Sequence, residues 1–319
     1  MTKQEDLTQP SPKGERFRFR RVALKTGVTL NVALAGDRSK PAVILLHGFP
    51  ESHRTWREVA PRLESDFFVV MPDQRGFAAS DLPQDVVEYK TDILIDDIFA
   101  LADALGIERF ALVGHDWGGA IAWGAALRND PRLTRLAIIN APHPVIFQKS
   151  VIENEQQRLA SQYITAFRVP GFEKVVEANG FEWFFDTTFA RHVDTSQVSD
   201  EERRQYIADW SQPGAFNAML NWYRAAKVAV PPPGVTVPLP EFLLRAFPKV
   251  KVPTLVIWGM RDAALLPVQL EGLEDLVDDL SIERLPSAGH FAPWEAGEEV
   301  AAALGPFLAG RAAASAAPA

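Results

Sequence analysis

The chain contains no cysteine, which excludes structural disulfides, thiolate metal sites and a cysteine nucleophile together. It also has no uncharged apolar run approaching the ~20 residues that cross a bilayer. Residues Met1 to Lys13 are polar and lack the apolar stretch of about 7 to 15 residues that a secretory signal carries, so a cytoplasmic protein with no membrane partner is expected. Positive charge is in deficit: 33 Lys and Arg stand against 41 Asp and Glu, a formal charge of -8. That balance repels a phosphate backbone and gives a nucleic-acid partner no electrostatic support. Small, uncharged partners are expected instead. Tyrosine and histidine are scarce, at four and six, so each can be weighed individually.

What is present is the balance of a globular protein, 319 residues with 47% hydrophobic and 23% charged. A chain of this length buries roughly three quarters of its unfolded surface, enough for one large domain with an insertion or for two domains. Short apolar runs alternate with helix-like segments: Ala42 to Leu46, Trp56 to Leu63, Phe67 to Met71, Ile93 to Leu105, Phe110 to Val113, Ala120 to Leu127 and Leu133 to Ile139. Continuous apolar runs separated by amphipathic helices predict a mostly parallel sheet covered on both faces. In the fourth segment Ile93, Ile98, Leu101 and Leu105 fall near one face, and Asp92, Asp96 and Asp103 nearer the other, which reads as a crossover helix. Six strands are expected by residue 140.

The alternation then stops and resumes at Thr254 to Trp258, followed by an expected helix near Val268 to Val277, a strand near Ser281 to Leu285 and a last helix near Glu295 to Leu308. The interval 141–248 holds half of the chain's aromatic residues in about a third of its length, and contains Pro231, Pro232, Pro233 and Gly234, a stiff-linker signature. A core of residues 1–140 and 249–310 is expected, with 141–248 inserted as a helical cap over the carboxyl ends of the strands, where open α/β sheets bind ligands. The aromatics of the cap serve either that ligand or simple adhesion to the core. Residues 311–319 read as a flexible tail.

The run Phe110 to Ala120, Phe-Ala-Leu-Val-Gly-His-Asp-Trp-Gly-Gly-Ala, is a strand, a turn flanked by small residues and a helix start. This is the pattern of a nucleophile elbow, and the residue it raises is Asp116. Attack by a carboxylate on a carbonyl gives a reactive anhydride, whereas attack on a saturated electrophilic carbon gives an ordinary ester. The expected target is therefore an sp3 carbon with a leaving group. Hydrolysis of the ester needs a base and an oxyanion hole. His290, in Ser-Ala-Gly-His-Phe just past a strand, is the candidate base, and Asp262 after the preceding strand is its orienting acid. Of the other histidines, His53 and His192 are expected to be exposed, His143 opens the insertion, and His47 and His115 look architectural beside the site.

Residues Pro41 to Leu308 resemble the α/β-hydrolase fold, and four segments together resemble its soluble epoxide hydrolase branch: His47 to Ser52, Gly114 to Gly119, Asn221-Trp222-Tyr223-Arg224, and Gly289-His290-Phe291. The resemblance implies an eight-stranded, mostly parallel sheet with helices on both faces and a cap. It implies that Phe49 and Trp117 give backbone N–H groups to the oxyanion hole, that Tyr163 and Tyr223 activate an epoxide oxygen, and that no cofactor or metal takes part. Tyr223 lies in the matched Asn-Trp-Tyr-Arg segment. Tyr163 precedes Pro170-Gly171 as the family's first tyrosine precedes its own Pro-Gly. Tyr89 and Tyr206 have no such match.

Two other readings stay open. A haloalkane or haloacid dehalogenase would use the same Asp116 and His290, although Phe49 stands where many such enzymes place a halide-binding Asn and no arginine adjoins the nucleophile. A ligand-binding protein of the same fold would not need the intact triad. Substrate identity, enantiopreference and oligomeric state are not written in the sequence.

Overall fold

The computed structural model of the chain describes residues 17–189, 195 and 198–310. Eight strands form one sheet: β1 (Arg18–Ala23), β2 (Thr29–Ala35), β3 (Ala42–Leu46), β4 (Phe68–Pro72), β5 (Phe110–His115), β6 (Leu133–Ile139), β7 (Thr254–Gly259) and β8 (Leu280–Leu285), in the order β1-β2-β4-β3-β5-β6-β7-β8. The β1/β2 and β2/β4 pairs are antiparallel. Every other pair is parallel, from β3/β4 to β7/β8. Six strands precede residue 140, as the alternation predicts.

Because side chains alternate along a strand, the apolar runs feed two separate cores. Val43, Leu45 and Val113 face one side, with the helices α1 (Ala60–Leu63) and α12 (Gly297–Leu308). Ile44, Leu46 and Leu112 face the other, against α2 (Thr91–Leu105) and α3 (Trp117–Leu127). Helix α2 buries Ile98, Leu101 and Leu105, half-buries Ile93 at its start and leaves Asp92, Asp96 and Asp103 exposed, so its polarity follows the sequence reading except that Ile93 is only partly covered. The expected helix at Val268 to Val277 is instead two short 3-10 turns, Pro267–Leu270 and Leu273–Asp275. Gly272, in the left-handed region at φ 81°, interrupts the run and costs a continuous helix its register.

Between β6 and β7 the chain forms α4 (Pro144–Glu153), α5 (Glu155–Ala160), α6 (Gln162–Phe167), α7 (Phe172–Asn179), α8 (Phe181–Thr188), α9 (Asp200–Trp210) and α10 (Ala215–Ala225). A short α11 (Ala292–Glu295) precedes α12. Residues 226–240 hold neither helix nor strand; Gln162 and Arg158 donate to the carbonyls of Pro231 and Val235 and pin them. The aromatics of the insertion divide between both expected tasks. Phe184, Phe185, Phe189, Tyr206 and Trp210 pack together, and Phe189 continues onto Phe291 of the core, ring centroids 4.9 Å apart. Phe147, Tyr163, Tyr223 and Phe247 line a cavity.

Candidate active site

The strand β5 is buried throughout and delivers Asp116 to the start of α3 with φ 49° and ψ -119°. A non-glycine residue held there is strained, and the packing enforces it. A Cβ on Gly118 would lie 2.3 Å from the Leu46 carbonyl, and one on Gly48 would lie 2.4 Å from the Asp116 Cβ. Only residues without side chains let α3 and the β3 loop close on the turn. Asp116 thus sits at the N-cap of α3, where unpaired N–H groups favour a carboxylate.

Its two oxygens face different partners. Oδ1 accepts from the Phe49 backbone N–H at 2.8 Å. Oδ2 faces His290 Nε2 at 3.6 Å, an ion-pair contact longer than a hydrogen bond. Trp117 is the first residue of α3, so its backbone N–H has no intrahelical acceptor. On the far side of the imidazole, His290 Nδ1 donates to Asp262 Oδ2 at 2.8 Å. Asp262 is held in turn by the backbone N–H groups of Ala264 and Leu265 on Oδ1, both 2.8 Å, and by Asn140 Nδ2 on Oδ2, 2.8 Å. Burial opposes ionisation of Asp116 and Asp262, but the charge and contact of His290 outweigh it and hold both carboxyls below the ordinary range. Burial likewise opposes a charged His290, yet Asp262 and Asp116 on either side hold its pKa well above the usual histidine value. The three shifts all favour a charged imidazole between two ionised carboxyls.

Above Asp116 lies a cavity of about 390 Å³ whose lining includes Asp116, Trp117, Tyr163, Tyr223, Phe147 and Phe247. Tyr163, from α6, and Tyr223, from α10, stand with ring centroids 6.1 Å apart at 82°. Burial raises both phenol pKa values, with the Asp116 charge adding to the shift, so both remain protonated donors at neutral pH. Phe49 and His290 do not line the cavity but contact Asp116 directly. The other six site residues singled out by sequence are therefore brought to Asp116, Asp262 by way of His290.

Several polar partners go beyond what the sequence assigns, His115 being read there only as architectural beside the site. Asn140, in the left-handed region at φ 42°, bridges Asp262 and the Gly259 N–H. Glu295 accepts from Gly289 N and Phe291 N, both 2.8 Å, and so braces the loop carrying His290. His115 donates from Nε2 to the His290 carbonyl at 2.8 Å, leaving its Nδ1 3.7 Å from Glu51 Oε2. Glu51 Oε1 accepts from Tyr206 Oη and Trp294 Nε1, each 3.0 Å. Burial pushes Glu51 up to about 7 and pulls His115 down to about 4. Asn140 at a strand end is the one such residue with a local signal, since asparagine tolerates positive φ.

Among the histidines of the described residues one expectation fails: His53, read as exposed, is buried, with Nδ1 2.7 Å from Asp73 Oδ1. Its charged neighbour Arg54 turns onto the ring, with Nη1 3.0 Å from His53 Nε2, and the paired carboxylate compensates its desolvation. His192 lies outside the described residues, as do Met1 to Lys13 and residues 311–319.

Residues 41–297 match the alpha/beta hydrolase fold family. The chain is 36% identical over 241 residues to the AB hydrolase superfamily protein YfhM of Bacillus subtilis, covering 75% of this chain and 80% of that protein. It is 32% identical over 293 residues to epoxide hydrolase 3 of Xenopus tropicalis, covering 89% and 75%. Among solved structures, an epoxide hydrolase from metagenomes of hot environments superposes with a TM-score of 0.84 at 45% identity, covering 93% of this chain and 100% of that one.

Proposed function

The chain belongs to the alpha/beta hydrolase fold family, and from that premise we propose that it is a hydrolase that opens an epoxide to a vicinal diol, with residues 141–248 as cap and the remainder of the described chain as core. The observation that carries the reading is a half-buried carboxylate at the elbow facing two neutral phenols across an apolar cavity. Related proteins named epoxide hydrolases support it.

In the first step Asp116 Oδ2 attacks an epoxide carbon; the C–O bond breaks and its electron pair goes to the ring oxygen, which takes a proton from Tyr163 or Tyr223. Without a donor, a strained ether oxygen is a poor leaving group at neutral pH. Esterification removes the Asp116 charge, so the His290 pKa falls and its proton is released to restore the phenol. Neutral His290 then takes a proton from water, whose oxygen adds to the Asp116 carboxyl carbon. The developing oxyanion forms on Oδ1, which already meets the Phe49 N–H and lies at the helix end headed by Trp117. Collapse expels the diol, whose second alkoxide takes the proton of the new carboxyl group. His290 keeps the proton from water, and the imidazolium between two carboxylates is restored.

Two features weigh against release of halide instead. Phe49 offers no side-chain donor, and the paired phenols would be idle. Single-turnover hydrolysis of a racemic aryl epoxide in oxygen-18 water tests the route: the first diol should carry unlabelled oxygen from Asp116, and Asp116→Asn should form no diol. Full label in the first diol would exclude the covalent path, and release of chloride from a chloroalkane with no epoxide turnover would favour the dehalogenase.

A further inference from the structure

Helix α10 carries Tyr223 in its last turn and ends at Ala225 with no glycine; Ala226 is already extended, at φ -71° and ψ 140°. A helix end leaves its last four carbonyls without intrahelical donors, and the usual remedy is a left-handed glycine just beyond it. Here one side chain serves. Arg168 Nε donates to the Tyr223 carbonyl at 2.8 Å, Nη2 to the Ala226 carbonyl at 2.9 Å and Nη1 to the Val228 carbonyl at 2.7 Å. The planar guanidinium presents these donors in a fixed fork that an ammonium cannot copy, and its charge complements the negative end of the helix dipole.

Arg168 directly follows α6, the helix that carries Tyr163. The residue before it, Phe167, packs against both phenols, with ring centroids 5.6 Å from Tyr163 and 5.0 Å from Tyr223. The same ring lies 5.2 Å from Phe49, whose backbone holds Asp116. Two consecutive residues at the end of one tyrosine helix therefore grip the end of the other. Terminal turns fray unless tied down, and Tyr223 lies in such a turn. We propose that Arg168 is a positioning residue for epoxide opening, one that closes the C-terminus of α10 on the Tyr223 carbonyl and so fixes the spacing of the two phenols over Asp116. This rests on the epoxide reading above, because only there do both hydroxyls meet one oxygen.

The test combines rapid-quench kinetics, with styrene oxide as probe, and amide hydrogen exchange on the full chain. Arg168→Met should slow formation of the alkyl-enzyme by roughly 10- to 100-fold, the range for slight misplacement of a reacting group, and leave hydrolysis of the ester within about twofold. Arg168→Lys should lie between Met and wild type. In a Tyr223→Phe background the same Met change should cost less than about threefold, because residues acting through one group are not additive. Exchange at residues 224–228 should quicken about tenfold in Arg168→Met. Unchanged alkylation, or equal losses in both backgrounds, would overturn the inference, as would unchanged exchange. If the Met variant does not fold, the Lys variant carries the same comparisons. If wild type yields neither diol nor adduct from any epoxide, the epoxide reading has failed, and the exchange result still judges the clamp.

Discussion

At the scale of single residues, the proposed mechanism gives the two Asp116 oxygens and His290 different roles, and these separate its two chemical steps. In the proposed mechanism His290 is needed only once the ester exists, so His290→Gln should accumulate an adduct of enzyme plus epoxide in intact-protein mass spectra; absence of any adduct with a fast substrate would remove His290 as the water-activating base. Replacing Tyr163 or Tyr223 by Phe deletes one donor and keeps the packing. Each change should slow alkylation by roughly 10- to 1000-fold, the range for one lost transition-state donor or acid, and the double change should nearly abolish it. If Tyr163→Phe keeps full activity, Tyr223 acts alone. Glu51 makes a pH prediction. Burial raises its carboxyl from 4.5 in the unfolded chain to about 7, so between those values the folded state binds more protons and stability falls as pH rises. Glu51→Gln keeps an acceptor for Tyr206 and Trp294 and cannot ionise. Its stability relative to wild type, measured by urea unfolding, should therefore grow from pH 5 to pH 8 by about 1–3 kcal/mol; a difference independent of pH would mean that Glu51 is paired rather than merely buried.

At the scale of elements, the site is a product of close approach. Strand β5, the turn at Asp116 and helix α3 meet strand β3 with no room for a methyl group at Gly118. Backbone atoms, not a flexible side chain, stand in the way. Gly118→Ala must displace one element, at a cost of about 1–3 kcal/mol by overpacking, and the displaced element carries Trp117. The expected outcome is a folded protein of lower urea midpoint whose alkylation slows more than its substrate binding. Retention of full activity with full stability would show that the turn tolerates the shift. The strand, the turn and the glycines were legible in ten consecutive residues. The 3-10 turns at Pro267–Leu270 and Leu273–Asp275 were not, because an apolar spacing near 3.6 also fits two separate turns split by a glycine.

At the scale of the whole molecule, the helices between β6 and β7 are joined to the loops after β3 and β4 by buried polar contacts as well as aromatic ones. Trp210 Nε1 donates to the Pro50 carbonyl at 2.7 Å, and Trp222 Nε1 to the Arg75 carbonyl at 2.9 Å. Arg75 is itself buried, forking onto Asp97 of α2 at 2.8 and 2.9 Å and reaching Glu88 at 3.0 Å. It thus ties the end of the β4 loop, helix α2 and helix α10 together. Arg75→Met leaves the Asp97 carboxylate buried without its partner, which costs about 3–5 kcal/mol. Urea unfolding should register that loss, and Arg75→Met with Asp97→Leu should recover much of it, since an apolar pair can replace a buried ion pair. No helix among the described residues is long and apolar enough to cross a membrane.

The sequence alone determined what depends on near neighbours: the strand and helix alternation, the elbow, the carboxylate that stands at its tip, and the order of Asp116, Asp262 and His290 along the chain. Periodicity and turn chemistry act over a few residues, so they can be read from them. The tertiary structure decided what depends on distant segments. It set Tyr163 and Tyr223 6.1 Å apart, buried His53 against Asp73, gave Asp262 its Asn140 partner and spent the Arg168 guanidinium on the end of another helix. Desolvation and orientation are properties of what packs across from a side chain, and for each of these residues that partner is supplied by a different element.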